Sequence, residues 1–199
     1  MQTLKVKLTL LEPLLGTAPK NKEIYKDFIA SKVTAEQQNE ELETLEDAME
    51  EVEKGTTGFH KDEEGIFIYD YLVKGFLKEA GNVMKSDMNL KNVKSKIDNL
   101  VFVFPRKLRL LTPDEKPLLE HQGYLERPLR AQTAQGPRVF LARSEIVEAG
   151  NHINCEFKIV PNKEITAKVL CNILEYGALK GLGQFRNGSY GRFSYQVME

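Results

Sequence analysis

The segment of the chain with the clearest chemical potential is the glycine-rich run from Lys180 to Phe193, KGLGQFRNGSYGRF. Its glycines allow positive φ and a close approach of the backbone, so that exposed amide groups can surround a phosphodiester. Three cations and two aromatic rings lie within it: Lys180, Arg186, Arg192, Phe185 and Tyr190. Cations interleaved with rings are typical of sites for single-stranded nucleic acid. The run therefore predicts a nucleic-acid loop, with a plain connection between a helix and a strand as the alternative.

Two other glycine motifs are excluded. No Gly-Lys-Ser/Thr follows the glycines, so the run is not a P-loop. It follows a predicted helix and precedes a predicted strand, whereas a dinucleotide fingerprint opens a helix after a strand.

The first half of the chain predicts a strand followed by helical stretches. Residues 4–10 place an apolar side chain at every second position, which is the period of a half-buried strand. The composition of 55–65 predicts a loop, and Asp70 is the predicted N-cap of a core helix. Helical spacing continues over 90–100, and 101–104 is a short β-rich run.

The second half predicts three strands and one helix. Residues 139–141 form a short predicted strand, and 153–159 alternate cleanly through another. Asn162 is the predicted N-cap of a helix that ends at Gly177 in the C′ position. Alternation from Phe193 onward predicts a last strand.

This order of elements predicts the fold class. Without insertions it reads strand, helix, strand, strand, helix, strand, which is the split βαβ arrangement of ferredoxin-like and RRM domains. We therefore predict a single α+β domain over 1–199, with an antiparallel sheet and two insertions. The first, 34–54, is a helix with nine acidic residues and no basic one between positions 36 and 53. It is either a solvated arm or a docking face for a basic partner. The second, 112–137, is rich in Pro and Gly and predicts a long loop or a loosely built insertion.

Composition narrows the function classes. The chain has 199 residues and a net charge of −1, so the whole molecule gives no electrostatic reason to expect nucleic acid or a membrane. The charge is uneven, with 14 basic and 19 acidic residues up to position 100 and 14 basic and 10 acidic residues after it. Two cysteines cannot build a disulfide framework. Without a signal peptide or a long apolar run, the sequence predicts a soluble cytoplasmic protein with no membrane partner.

The glycine-rich run resembles the hallmark of the RAMP superfamily (repeat-associated mysterious proteins), which form RNA-guide-binding subunits of CRISPR effector complexes. That hallmark has the form G-h-G, five residues usually including Lys or Arg, then G-x-G. Here Gly181-Leu182-Gly183 and Gly191 match, and Arg186 supplies the base. Ser189 stands where a glycine is usual, and Gly188 lies one residue early.

Three further segments resemble the same family in the same order along the chain. LTLLEPL, residues 8–14, is similar to its first strand and turn. Residues 62–78 are similar to the stretch that opens its first helix, with Lys74-Gly75 kept and Tyr69-Asp70-Tyr71 replacing a Pro-Gly-Ser turn. Residues 144–150, SEIVEAG, are similar to its Glu-x-Val-Pro-x-Gly element.

The resemblance implies binding of guide or single-stranded RNA along the sheet, the glycine-rich loop and a thumb-like insertion, here 112–137. It also implies CRISPR effector subunits or further copies of this chain as partners. For each cation taken singly, a solvated surface charge is the alternative. The predicted RNA-binding residues are Lys74, Lys78, Arg127, Arg130, Arg138, Lys180, Gly181, Gly183, Arg186, Gly188, Tyr190, Gly191 and Arg192.

The residues favour a binding protein over an enzyme. The three histidines lie in separate loop-like segments without a metal-ligand partner at helical spacing, and no catalytic residue, cofactor or metal site is predicted. His60 with Asp62, Glu63 and Glu64 is a possible hard-metal cluster, with a solvated acidic loop as the alternative. An endoribonuclease using His60 or Asp27 remains the enzymatic alternative.

Two other functions remain open. One is a stand-alone protein, encoded by a phage or mobile element, that mimics a CRISPR subunit and blocks the complex through protein contacts. The acidic insertion favours this anti-CRISPR hypothesis, because a guide-binding filament gains nothing obvious from nine carboxylates. The other is a protein-interaction module that kept the fold and lost the nucleic acid.

Overall fold

The computed structural model of the chain describes three ranges of residues, and the backbone alone for part of its longest hairpin. The described ranges are 1–20, 56–133 and 136–198, with backbone only over 129–133 and 136–141. The predicted acidic helix over 34–54 and Asp27 lie outside the described residues. No helix in the described ranges combines the length and apolar character needed to cross a membrane.

The strands are β1 Gln2–Leu10, β2 Leu14–Leu15, β3 Ala18–Pro19, β4 Thr56–Gly58, β5 His60–Asp62, β6 Gly65–Tyr69, β7 Val101–Phe104, β8 Lys107–Arg109, β9 Gly123–Thr133, β10 Gly136–Val147, β11 His152–Ile159 and β12 Phe193–Met198. The helices are α1 Asp70–Val83, α2 Val93–Leu100, α3 Ala167–Glu175 and α4 Gly177–Lys180, with a 3₁₀ turn at Arg186–Gly188.

The central sheet has the strand order β12-β1-β11-β7, and all of its pairings are antiparallel. In chain order these four strands are β1, β7, β11 and β12, so the sheet has the 4-1-3-2 order of the split βαβ arrangement. The helices α1 and α2 lie before the second of these strands in the chain, and α3 and α4 lie before the fourth. The predicted ferredoxin-like α+β fold is confirmed.

One face of the central sheet is covered by helices, and β1, β7 and β11 alternate buried side chains on that face with more exposed side chains on the other. Leu4, Val6, Leu8 and Leu10 of β1 are all buried, as predicted from their spacing. The covering helices bury apolar stripes against them, including Val73, Phe76, Leu77 and Ala80 of α1 and Leu170, Ile173 and Leu174 of α3. The opposite face, which we call the outer face, carries the polar side chains of β1.

A second sheet contains four strands that the sequence analysis missed, β2, β3, β4 and β9, together with β10, of which residues 139–141 were predicted as a strand. It has the order β2-β10-β4-β3, and β9 pairs with β10 as an antiparallel hairpin. The loop predicted over 55–65 is wrong, because β4 and β5 lie within it. The loop predicted over 112–137 is wrong for β9, which tolerates Pro128 because it is an edge strand of the described sheet. β5, β6 and β8 form a third, smaller sheet.

Two predicted helix starts are displaced. The N-cap of α1 is Tyr69, and Asp70 is the first helical residue. The N-cap of α3 is Thr166, whose hydroxyl accepts a hydrogen bond from a main-chain N–H. Asn162 instead accepts the N–H of Ile165 at 2.5 Å in a turn before the helix. Asn and Thr both cap helices, so spacing alone could not choose between them.

Candidate nucleic-acid interface

The glycine-rich loop joins α4 to β12 and turns on three left-handed glycines, Gly181, Gly183 and Gly191, with φ of 78°, 74° and 72°. A Cβ on Gly181 would lie 2.6 Å from the carbonyl oxygen of Tyr190. The Leu182 N–H donates to the Gly191 carbonyl at 2.8 Å. The two arms of the loop therefore touch, and only glycine fits where they cross.

The predicted helix end at Gly177 is wrong. The helical path continues through α4, and Gly181 is the left-handed residue that ends it. A Cβ on Gly177 would overlap the ring of Phe193. This glycine is needed for helix-to-strand packing rather than for a cap.

The loop is fixed to the rest of the fold by one side-chain amide. Gln184 Nε2 lies 2.5–2.9 Å from three oxygens on three different segments: the Gly16 carbonyl, Thr57 Oγ1 and Ser144 Oγ. Thr57 Oγ1 and Ser144 Oγ are themselves 2.9 Å apart. This network holds the loop in position before any ligand arrives, which reduces the entropy lost on binding.

Phe185 and Tyr190 stack with ring centroids 5.6 Å apart, and the guanidinium carbon of Arg127 lies 4.5 Å from the Phe185 centroid. We call these three residues the Arg–aromatic stack. Phe185 has φ of 54° and is 43% exposed. A Cβ on Gly188 would lie 2.6 Å from its ring, so this glycine leaves room for the stack.

The Arg127 guanidinium has an unusual environment. Its Nε and Nη1 atoms are buried and have no hydrogen-bond partner among the described residues. Burial lowers the pKa of Arg127, against a smaller opposing effect of Tyr190, yet a guanidinium stays charged at any physiological pH. A charged fork whose buried donors have no partner in the described part of the chain, beside a glycine-rich loop, is suited to an oxyanion such as a phosphate.

The other cations of the loop are paired within the protein. Arg186 Nη1 lies 2.6 Å and Lys180 Nζ lies 3.5 Å from the carboxylate of Glu79 on α1. Burial raises the pKa of Glu79, but the hydrogen bond and charge of Arg186, with Lys180, lower it overall. Arg192 Nε donates to the Leu179 carbonyl at 3.2 Å.

Lys74 and Lys78 lie on one side of α1, as their spacing predicts, and both face Asp98 of α2. Lys78 Nζ is 3.1 Å and Lys74 Nζ is 3.7 Å from its Oδ1, and Lys74 also donates to its main-chain oxygen at 2.8 Å. The hydrogen bond from Lys78 is the main cause of the lowered pKa of Asp98. These two lysines join α1 to α2.

Arg130 and Arg138 lie in β9 and β10, where Arg130 pairs with Val139 and Arg138 with Ala131. Their side chains lie outside the part of the structure that is described. The register places them further along the same hairpin as Arg127.

The candidate catalytic and metal residues of 60–64 are engaged by neighbours. The His60 ring lies 4.7 Å from Tyr69 and 5.6 Å from Phe67, and burial lowers its pKa. Arg109 hydrogen-bonds both carboxylate oxygens of Asp62, which lowers its pKa far below the usual range, and Lys107 adds a third bond. Within the described ranges, no group of three or more His, Cys, Asp or Glu is arranged to hold a metal ion.

The sequence analysis missed the partners that decide these roles. Gln184, Glu79 and Asp98 each make the contacts that define the site, but they are common residue types without a local pattern. Phe185 was identified as a stacking face, and its adjacency to Tyr190 in the same loop was the available signal. Arg127 could be connected to it only through the β9–β10 register.

Comparisons with known proteins agree on the fold. A chain of the type III-B Cmr-beta complex, solved by cryo-EM bound to cognate target RNA, is 11% identical with a TM-score of 0.52, over 99% of this chain and 60% of that one. A chain of a type IV-B CRISPR complex is also 11% identical, with a TM-score of 0.50, over 99% of this chain and 90% of that one. No family model and no curated protein matches the sequence.

The chain therefore has the fold of a CRISPR effector subunit, although it spans only about 60% of the length of the Cmr-beta chain. At 11% identity the likeness concerns the fold.

Proposed function

We propose that this protein is a RAMP-type, CRISPR-associated protein that binds guide or single-stranded RNA through the Arg–aromatic stack and the glycine-rich loop. The observation that carries the proposal is Arg127, whose guanidinium has buried nitrogens without a hydrogen-bond partner among the described residues. Burying a charge without a partner is unfavourable, and a phosphate oxygen would remove that penalty.

The rings beside Arg127 supply the second component of such a site. Phe185 and Tyr190 are parallel within 27°, and the exposed part of Phe185 can receive a base. Stacking of a base on an aromatic side chain contributes about 1–3 kcal/mol without regard to sequence. The proposed ligand is therefore single-stranded, with its phosphate on Arg127 and a base on the rings.

The comparisons support the same class of ligand. One of the two neighbours is described as bound to target RNA, and both are chains of CRISPR complexes. Carrying this role to the present chain is part of the proposal.

The test is binding of a fluorescently labelled single-stranded RNA, read by anisotropy over a series of salt concentrations. Arg127→Gln is expected to weaken binding by roughly tenfold and to reduce the salt slope by about one, because one phosphate contact is lost. Light scattering of the purified protein reports self-association. The ratio of nucleic-acid to protein absorbance, read on the same peak, reports bound RNA.

The matched control is Arg143→Gln. Arg143 lies on the same hairpin and also covers an aromatic ring, at 3.8 Å from the centroid of Tyr124. Its Nε, like that of Arg127, has no hydrogen-bond partner among the described residues, but it lies 3.5 Å from the Glu126 carboxylate, which offsets its charge. Equal effects of the two substitutions would contradict a specific site at Arg127. Loss of binding in Arg127→Gln alone would support it.

A second candidate function is that of a phage-encoded mimic or inhibitor of a CRISPR effector, acting by protein contact. The observation that favours it is that four of the predicted RNA-contacting cations are paired with the chain's own carboxylates: Lys74, Lys78, Lys180 and Arg186. A protein free of RNA that co-purifies with defined effector subunits would support this candidate over the first.

A further inference from the structure

A tight turn closes over one end of the outer face of the central sheet. In the segment Thr112–Lys116, the Glu115 N–H donates to the Thr112 carbonyl at 2.9 Å, and the Thr112 N–H donates to the Lys116 carbonyl at 2.8 Å. Glu115 is left-handed, with φ of 61°. Glycine or asparagine is the usual residue at such a position, which follows Pro-Asp in this turn. Glutamate is therefore an unusual residue at this position.

The Glu115 carboxylate is bound by side chains from two neighbouring strands. Lys7 Nζ of β1 lies 2.5 Å from Oε1, and His152 Nε2 of β11 lies 2.9 Å from Oε2. Asn154 Nδ2, which is directly across the sheet from Lys7, lies 3.5 Å from Oε2. We call Lys7, His152 and Asn154 the sheet-face anion site.

All three members of this site act as donors. The hydrogen bonds from Lys7 and His152 lower the pKa of Glu115 to about 2, so the carboxylate is ionised and can only accept. His152 Nε2 must therefore carry a proton. The His152 side chain is 1% exposed, and its Nδ1 has no hydrogen-bond partner in the described part of the chain.

The surrounding surface suits an extended polyanion. Phe102 and Phe104 of β7 are each 42% exposed. Lys158 Nζ lies 4.6 Å from the Phe104 centroid and 3.6 Å from the carboxylate of Glu156, which is the one acidic residue of β11 on this face. Lys5 is exposed on the same face of β1 as Lys7. Cations next to exposed rings on a sheet form the kind of surface along which single-stranded nucleic acid runs.

We propose that Glu115 is an internal substitute for a phosphate group: it occupies the sheet-face anion site, and an RNA backbone phosphate displaces it when RNA binds across the outer face. This inference rests on the proposed RNA-binding function and adds a second contact region with built-in competition. In this proposal the glycine-rich loop binds RNA, and Glu115 weakens the binding of the same RNA to the outer face of the sheet.

The test uses Glu115→Gly, because glycine suits the left-handed position while the carboxylate is removed. We expect this variant to remain folded, to bind labelled single-stranded RNA about three- to tenfold more tightly, and to show a steeper salt slope by about one. Glu115→Gln, which keeps the side-chain length, is expected to change affinity in the same direction. Adding Lys7→Gln to Glu115→Gly is expected to return the affinity to the wild-type value or below.

The matched control is Glu120→Gln. It removes one exposed carboxylate, paired with Lys61, and so makes the same change in net charge away from this site. Equal tightening by Glu115→Gly and Glu120→Gln, or no change in Glu115→Gly, overturns the inference.

A direct readout is the ¹⁵N resonance of His152 Nε2 in the wild-type protein. RNA is expected to shift this resonance as the partner changes from carboxylate to phosphate, and an unchanged resonance in the RNA-bound protein overturns the inference. Binding that requires Arg127 but is indifferent to Glu115 overturns this inference alone. Absence of RNA binding in every variant overturns both proposals.

Discussion

The guanidinium carbon of Arg127 lies 4.5 Å from the centroid of the Phe185 ring, which brings the β9–β10 hairpin against the glycine-rich loop. The contact depends on register. Arg127 pairs with Ala142, two residues before Ser144, and Ser144 Oγ lies 2.9 Å from Nε2 of Gln184. Gln184, which precedes Phe185, is thus hydrogen-bonded to β10, the strand that also pairs with Arg127 of β9.

Gln184→Leu is expected to destabilise the fold and to separate the loop from the hairpin. The substitution leaves Thr57 and Ser144 without the amide that bonds to both, and lost bonds of partly buried groups cost about 1–3 kcal/mol in the free energy of unfolding. Urea denaturation measures this loss. The exposed Gln196→Leu is the control, and an equal effect of both would contradict the anchoring role.

Gly191→Ala is expected to destabilise the protein by about 2–3 kcal/mol. Alanine at this position must adopt a left-handed backbone conformation, and its Cβ would overlap the Leu182 carbonyl. Gly150→Ala separates these two effects, because Gly150 has φ of 87° but no atom within 4 Å of an added Cβ. We expect its cost to be about 1 kcal/mol. If Gly191→Ala and Gly150→Ala lower the thermal or urea midpoint equally, backbone strain alone sets the requirement for glycine at position 191. The close contact between the two arms of the loop would then make no contribution.

The parts of the fold that could be predicted from sequence are those with local periodicity. The alternation in residues 4–10 is strict, so β1 and its buried face followed directly. β9 was missed because Pro and Gly surround it, and its edge position, which makes Pro128 acceptable, is a property of the assembled sheet.

The site was predictable only in its local part. Gly181 and Gly191 are required by close backbone contacts within the loop, so their pattern is visible in the sequence. Whether a cation is paired with a carboxylate is not visible in the local sequence, because Glu79 and Arg186 are brought together by packing of α1 against the loop. Spacing alone identified Lys74 and Lys78 as neighbours but could not reveal that both pair with Asp98 of α2.

The Glu115 contacts predict a stability change at acidic pH. The pKa of Glu115 falls from 4.5 to about 2 in the folded protein, so the folded state favours the ionised form more than the unfolded state does. Its contribution is complete above about pH 4.5 and is lost as the pH falls towards 2. Urea midpoints of wild type and Glu115→Gln are therefore expected to differ most above pH 5 and to converge as the pH approaches 2. A difference that stays constant over this range would contradict the ion pair with Lys7 and His152.

Glu79→Gln tests whether the paired cations of the loop can also serve RNA. The substitution releases Arg186 and Lys180 from their shared carboxylate, which lies 2.6 and 3.5 Å from them. Because the carboxylate is partly exposed, the free energy of unfolding is expected to fall by no more than about 1 kcal/mol. If these cations lie on the RNA path, anisotropy should report severalfold tighter binding, since they no longer exchange a protein partner for a phosphate. Asp98→Asn is the matched control, because it releases Lys74 and Lys78, which pair with α2 rather than with the loop. Tightening by Glu79→Gln alone would place RNA along the glycine-rich loop, whereas unchanged affinity in both variants would mean that all four cations serve the fold and that Arg127 acts without them.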